Sequence, residues 1–340
     1  MPMQAVAERP HGRVAVVGCG RWGRNLARCF RTLGVLEAIA ESDIAHARVH
    51  AEAHGVRALT PEAAIHDPAV TAVVVATTPA SHHALATVAI AAGRHVFVEK
   101  PLALDLAAAT DIAERARTAG VVLMTGHILR YHPGFAALQA LVGEGRLGRL
   151  LRLHATRHAP GVIRAEEDAL WCLAPHDISM LLALMGELPA EVTASGDHLL
   201  RPDVADAASL RLAFASGAVG VVNVSWLHPI KEHRLAVVGE QAMAVFDDCA
   251  PWDRKLMLYP HRLVRDGATP RLDPAEGVAI ELARDEPLLA ECRHFLDCIA
   301  TGATPLSGAD EALAVMSVLQ RAADAMVAGR PTPRLQEPAK

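Results

Sequence analysis

The stretch RVAVVGCGRWGRN, residues 13–25, narrows the possible folds more than any other part of the chain. An apolar run breaks at Gly18 into the pattern G-x-G-x-x-G, formed by Gly18, Gly20 and Gly23, and a helical pattern follows over residues 24–34. Gly18 permits a tight turn, and Gly20 lets the main chain approach a pyrophosphate. Gly23 lets the helix pack closely, with its first amides facing the phosphates. The bare pattern carries little weight, but its place between a strand and a helix gives it meaning. The next apolar run, LEAIAES, brings Glu41 to a strand end. A carboxylate there accepts hydrogen bonds from the adenosine ribose and repels a 2′-phosphate, which favours NAD over NADP. Arg21, Trp22 and Ser42 flank these residues and join them as cofactor candidates; Arg21 can also reach a phosphate.

Up to about residue 125, short Val-rich runs alternate with Ala-rich helical stretches. AVVVATT (72–78), HVFVEK (95–100) and VVLMTG (121–126) are such runs, and HHALATVAIAAG and LAAATDIAERARTAG are helical. Strands that are apolar throughout and separated by helices indicate a parallel sheet covered on both faces. The pattern predicts an α/β chain whose first domain, residues 1–125, is a doubly wound Rossmann sheet. The second, 126–340, changes period. Strand-like segments at 149–159, 190–200, 207–217, 218–228 and 233–248 follow one another, with a helix near 175–187 and a helical tail from Glu286. Alternation such as Leu210, Leu212, Phe214 predicts an open, mostly antiparallel sheet in an α+β domain.

A net charge of −5 over 340 residues gives no surface for nucleic acid, so a phosphate must be met by a local device such as the glycine turn. The six cysteines form no CxxC pair and no zinc spacing, so reduced thiols and no metal are expected. No apolar run reaches the ~20 residues that span a bilayer. The N-terminus lacks a signal-peptide core. A cytoplasmic protein is the expectation.

HVFVEKPLAL (95–104) ends an apolar run in Glu99 and Lys100, with Pro101 directly after. In a doubly wound sheet, ligands collect at the carboxyl ends of the strands. Lys100 is thereby expected near the nicotinamide, where an ammonium can bond a substrate hydroxyl and stabilise the developing alkoxide. Thr77, Thr78, Pro79 and His82 end the neighbouring strand and are cofactor candidates, as is Glu99. A surface Glu–Lys ion pair is the competing reading of this dipeptide.

The glycine turn, ATTPASHHALATVAIAAGRHVFVEKPLAL, APHDISMLLALMGE and EPLLAECRHFLDCIATGATPLSGADEALAVMSVLQRA together resemble the Gfo/Idh/MocA family of sugar dehydrogenases. The resemblance covers nearly the whole chain. It implies that Lys100 is catalytic, often before a cis peptide to Pro101, and that an open C-terminal sheet carries the substrate site and builds dimers or tetramers. The family commonly pairs an aspartate with a histidine four residues on. Here His176 matches the histidine while Cys172 stands at the aspartate position, so Lys100 with His176 is the simpler catalytic set. Imidazole, with its ordinary pKa near 6.5, can take a proton at neutral pH. Pro175 disfavours helix at Ala174, which would separate Cys172 from His176, and Asp177 either orients His176 or caps its helix.

His127, Arg130, Tyr131 and His132 lie on the segment joining the two halves: His127 is a cofactor candidate, and Arg130 and Tyr131 are substrate candidates. Arg157, Arg164 and Trp171 follow. Arginines grip phosphate in a bidentate way and an aromatic ring covers a uracil or sugar face. As a cluster they point to a nucleotide sugar. LWCLAPHDISML and SWLHPIKEHRLAVVGEQAMAVFDD look most like the branch acting on UDP-N-acetylhexosamines, which implies a 3-keto sugar made for transamination in lipid A or cell-surface glycan assembly. UDP-N-acetylglucosaminuronate, free inositol or another polyol are the rival substrates. Family relatives that sense NAD or sugar without catalysis, or that use held NAD for transient oxidation during glycoside cleavage, are rivals of other classes.

Overall fold

A computed structural model describes residues 12–160, 163, 167–264, 269, 271–273 and 275–328 of the 340. These residues divide into two compact units, one within Met1–Ala136 and Ala283–Met316, the other within Ala137–Leu282 and Ser317–Lys340.

The first unit alternates β1 (Val14–Val17), α1 (Gly23–Thr32), β2 (Leu36–Ala40), α2 (Ile44–His54), β3 (Arg57–Leu59), α3 (Pro61–His66), β4 (Ala72–Val75), α4 (His82–Ala91), β5 (His95–Glu99), α5 (Leu106–Ala119) and β6 (Leu123–Gly126). The strands form one parallel sheet in the order β3-β2-β1-β4-β5-β6. Chain order reverses between β1 and β4, and the crevice at such a switch point is where these sheets hold ligands. Every residue of β1 and β4 is buried, as expected of strands covered on both faces. β3 and α3 had no clear signal: three residues, Arg57 exposed, are too short for a period to register.

α6 (Pro133–Gly143) follows the joining segment. The second unit is built on β7 (Leu150–Pro160), α7 (Ala169–Met185), β8 (Glu191–Asp197), β9 (Ala207–Ala213), β10 (Val219–Ser225), β11 (Leu227–Gly239), β12 (Ala242–Asp247), β13 (Leu256–Pro260), β14 (Arg262–Val264), β15 (Arg271–Asp273) and β16 (Val278–Ala279). Eight of these strands make a mixed, mostly antiparallel sheet in the order β16-β13-β12-β11-β7-β10-β9-β8, with β7 and β10 parallel. Leu210, Leu212 and Phe214 are buried while Ser209 and Arg211 are exposed, so the predicted alternation holds. Two expectations change. The run 233–248 is not one strand, because the chain turns at Glu240 and Gln241 and Val238 pairs back with Met243. α7 starts near residue 169 and passes through Pro175: the Asp168 carboxylate caps its first turn through Trp171 N–H at 3.0 Å. Proline there removes only one intrahelical N–H, which the sixteen other helical residues tolerate.

The tail forms α8 (Pro287–Thr301) and α9 (Ala309–Ala328). Residues 283–316 pack with the first unit rather than with the second domain in which the sequence reading had placed them. Leu288, Cys292 and Phe295, a stripe at helical spacing, join the core of Val14, Phe30 and Phe97, with Phe295 edge-on to Phe97 at 5.8 Å. Among the described residues no helix is long and apolar enough to cross a membrane. No disulfide joins any of the six cysteines, all of which lie among the described residues.

Candidate active site

The glycine turn has the shape of a phosphate cradle. Gly18 has φ +91°, and a Cβ on it would meet the Ala76 carbonyl oxygen at 2.7 Å. A Cβ on Gly23 would lie 1.9 Å from the Gly18 carbonyl oxygen, so glycine alone lets α1 come this close to β1. Gly20 faces open space, the place for a ligand's pyrophosphate. α2, α5 and α7 begin under Asp caps, whereas α1 has neither a side-chain cap nor an acid in its first turn, so its amides suit a ligand anion. Glu41 stands beside the turn, accepting the Cys19 N–H on Oε1 at 2.5 Å, with His46 at 3.4 Å. Arg21 and Ser42 are exposed at the same edge. The residues fit a dinucleotide.

At the carboxyl ends of β4 and β5 the charged dipeptide is not a surface ion pair. Glu99 is buried. Its Oε1 accepts the Trp22 indole N–H at 2.6 Å and its Oε2 accepts the Lys100 main-chain N–H at 3.3 Å. Burial pushes this carboxyl up to about 7, against the Trp22 hydrogen bond and the charge of Lys100, which hold it down. Gly126 makes room for it, since a Cβ there would lie 2.9 Å from Oε2. Trp22, assigned to the cofactor from sequence, thus ties the glycine turn to the Glu99–Lys100 tip. The Lys100–Pro101 peptide is cis. Thr77 Oγ1 receives the Ser81 hydroxyl at 2.7 Å, and Thr78 and Pro79 open the short 3-10 turn before α4. His82 does not reach the cofactor side. It is fully buried, with Nδ1 2.8 Å from the Pro101 carbonyl and Nε2 3.2 Å from that of Thr77.

The joining segment folds inward. His127 Nδ1 meets Glu311 at 2.8 Å, and Arg130 reaches the same carboxylate at 3.5 Å with its guanidinium over Phe135. The Tyr131 hydroxyl bonds Ser307 at 2.8 Å, and His132 Nδ1 accepts the Gly134 N–H. All four residues are buried. Arg130 and Tyr131, expected at substrate, anchor the segment after β6 to the 305–311 stretch instead. An arginine and a tyrosine in a loop look the same in sequence whether they point outward or inward.

In the second unit, α7 presents His176 partly exposed. Because the helix continues through Pro175, Cys172 and His176 lie four residues apart on one helical face, contrary to the separation expected. Asp177 does not cap the helix, which begins under Asp168. It is buried against Arg157, whose Nε and Nη2 meet its two oxygens at 2.6 and 3.1 Å, while Nη1 lies 3.0 Å from His233 Nδ1. Arg157 is therefore committed within the fold rather than to a substrate phosphate. Trp171 is partly buried in the first turn of α7, and Arg164 lies outside the described residues. A cavity of about 730 Å³ opens among His154, His158, Asn223, His228 and Glu232. By the strand alternation these side chains occupy the sheet face away from α7 and His176.

One buried group escaped the sequence reading. Glu291 on α8 is wholly buried, and burial, then Glu99, Cys29 and Glu311, raise its carboxyl well above the usual range. Its place inside the stripe Leu288, Cys292, Phe295 was the available signal: an acid on an apolar helix face needs an explanation.

Residues 12–127 match the family described as "Oxidoreductase family, NAD-binding Rossmann fold", and residues 135–245 match the "GFO/IDH/MocA C-terminal domain". Myo-inositol 2-dehydrogenase of Thermotoga maritima is 32% identical over 69% of this chain and 72% of its own. UDP-N-acetylglucosamine 3-dehydrogenase of Acidithiobacillus ferrooxidans is 31% identical over 85% of this chain and 89% of its own. A crystal structure of the latter has a TM-score of 0.81 and covers 94% of this chain and 98% of its own, at 26% identity. The structure of GenD2 from gentamicin A biosynthesis in complex with NAD matches with a TM-score of 0.79 and 27% identity, over 95% and 97% of the two chains. The chain is thus an NAD-dependent oxidoreductase of sugar or polyol CH–OH groups and belongs to the Gfo/Idh/MocA family.

Proposed function

We propose that this dehydrogenase oxidises the 3-hydroxyl of UDP-N-acetylglucosamine to a 3-keto sugar, for transamination in lipid A or cell-surface glycan assembly. The observation that carries this reading is extent. The similarity to the UDP-N-acetylglucosamine 3-dehydrogenase runs through 85% of this chain, and that to the inositol dehydrogenase through 69%.

NAD, when bound, supplies the hydride acceptor. Gly18, Gly20 and Gly23 give its pyrophosphate main-chain amides, and Glu41 meets the adenosine ribose. The Lys100 ammonium donates a hydrogen bond to the reacting hydroxyl oxygen and holds the alkoxide charge as hydride leaves, so its effect grows toward the transition state. Glu99 fixes the main chain at Lys100 rather than touching substrate. His176 is the base that takes up the hydroxyl proton on its imidazole. Arg157 and Asp177 hold the face of α7 that carries it, and Trp171 and Arg164 are the substrate contacts that remain from the basic and aromatic cluster. A homo-oligomer in the cytoplasm belongs to the same reading.

The polyol reading has its own support in the 32% identity to the inositol dehydrogenase. Incubation with NAD and a panel of UDP-sugars, inositols and free hexoses separates the two. NADH and a 3-keto product from UDP-N-acetylglucosamine are expected. Turnover of free polyols with no response to any UDP-sugar would replace the nucleotide sugar with a polyol.

A further inference from the structure

The last ladder pair between β4 and β5 is Val75 with Val98; beyond it the two strands turn apart. One turn carries Thr77, Thr78 and the 3-10 segment Pro79–Ser81. The other, after Glu99, which still pairs with Gly126 of β6, carries Lys100 and Pro101. The main-chain pairing that aligns the strands therefore stops before the residues that have chemistry to do. His82, the first residue of α4, bridges the gap. Its ring is fully buried, so water cannot take its place, and its two nitrogens face the carbonyls of Pro101 and Thr77 at 2.8 and 3.2 Å. A buried carbonyl deprived of its donor is left without a hydrogen bond that no water replaces. A chain that can move to recover that loss will move, and the chain in question carries Lys100.

We propose that His82 is a positioning residue for Lys100: its Nδ1–H donates to the Pro101 carbonyl and holds the Lys100–Pro101 turn against the Thr77 end of β4. The shorter contact assigns the proton to Nδ1. With the proton on Nδ1, Nε2 offers the Thr77 carbonyl no donor; the residue is tied to the β4 side by its main chain, whose N–H bonds the Pro79 carbonyl. An aliphatic residue of equal size would fill the space and leave the Pro101 carbonyl without its donor. The claim rests on the role given to Lys100 in the dehydrogenase reading, and it adds that the lysine's placement depends on a group that touches neither cofactor nor substrate.

Side-chain amides test the claim one nitrogen at a time. His82→Asn places an N–H near the position of Nδ1, and His82→Gln places one near that of Nε2. With NAD and UDP-N-acetylglucosamine, His82→Ala and His82→Gln should lower kcat by about 100-fold, the scale of a reacting group displaced by an ångström. His82→Asn should recover most of that loss. NAD affinity and KM should stay within about twofold in all three, because the loss falls on the chemical step. Equal losses in Asn and Gln variants, or losses that follow weakened NAD binding or a smaller folded fraction, would reduce His82 to packing. Wild-type protein inert toward every alcohol of the panel would instead sink the dehydrogenase reading. In that event nuclear magnetic resonance decides on His82 by itself. A slowly exchanging Nδ1–H coupled to the Pro101 carbonyl, with Lys100 side-chain resonances displaced in the Gln variant and not in the Asn variant, supports the clamp. An Nδ1 without a proton overturns it.

Discussion

At the tip of β5 the carboxyl beside Lys100 is held by an indole N–H and a main-chain amide; in α7 the carboxyl beside His176 is held by a guanidinium. Both carboxyls are buried, and each neighbours a proposed catalytic group. The difference lies in charge balance. Asp177 has a full counter-charge in bidentate geometry, so it is a fixed strut. Glu99 meets a neutral donor and an amide, so burial raises it to about 7 and its charge depends on pH. One carboxyl braces its neighbour; the other is poised to change state beside it.

The comparison can be broken at its strongest point first. Asp177→Asn strands the Arg157 guanidinium inside the fold and should cost about 3–5 kcal/mol in denaturant unfolding. The double variant Arg157→Met, Asp177→Leu should lie much nearer wild type, since the cost is an unpaired charge rather than a lost contact. If Asp177→Asn is as stable as wild type, the strut is ornamental.

Glu99 should show itself through pH. Its carboxyl binds a proton near 7 when folded and near the usual 4.5 when unfolded, so the folded chain holds more protons between those values. The stability this provides is fully present below 4.5 and is lost as pH rises through 7, about 3 kcal/mol in all. Glu99→Gln should flatten that part of the pH–stability curve, leaving what Glu291, raised in the same direction by burial, contributes. Equal slopes in wild type and variant would contradict the assignment.

A smaller effect is expected from Trp22→Phe. It removes the donor that holds Glu99 down, so the carboxyl should titrate still higher. The loss should be about 1 kcal/mol at pH 8 and less at pH 5, where Glu99 is already protonated. Nuclear magnetic resonance of the Glu99 side chain reads the first effect, and unfolding at the two pH values reads the second.

The parts of the fold legible in sequence were those written in periods. β1 and β4 are apolar at every position, β5 is apolar through Val96–Val98, all are flanked by helices, and β9 alternates cleanly. β3 was too short to show a period, and α7 was obscured because proline argues locally against a helix that its Asp168 cap and apolar face sustain. Gly18 and Gly23 were legible because backbone geometry demands glycine there, and Gly20 and Glu41 because a dinucleotide's pyrophosphate and ribose call for those types. Arg130, Tyr131 and Arg157 misled because their partners, Glu311, Ser307 and Asp177, lie 20 to 181 positions away or on another element, and no local pattern announces them. His82 misled for the same reason: at a strand end, a histidine aimed at a ligand and one aimed at carbonyls read alike.

The most direct test of the account is a single-turnover measurement on Lys100→Met. With NAD and the alcohol that wild type oxidises, the variant should bind NAD with affinity within about twofold of wild type. It should form NADH at least 100-fold more slowly, the scale of losing one donor that stabilises a developing oxyanion. NADH formation at a near-normal rate in this variant would show that the tip of β5 is not where the chemistry occurs.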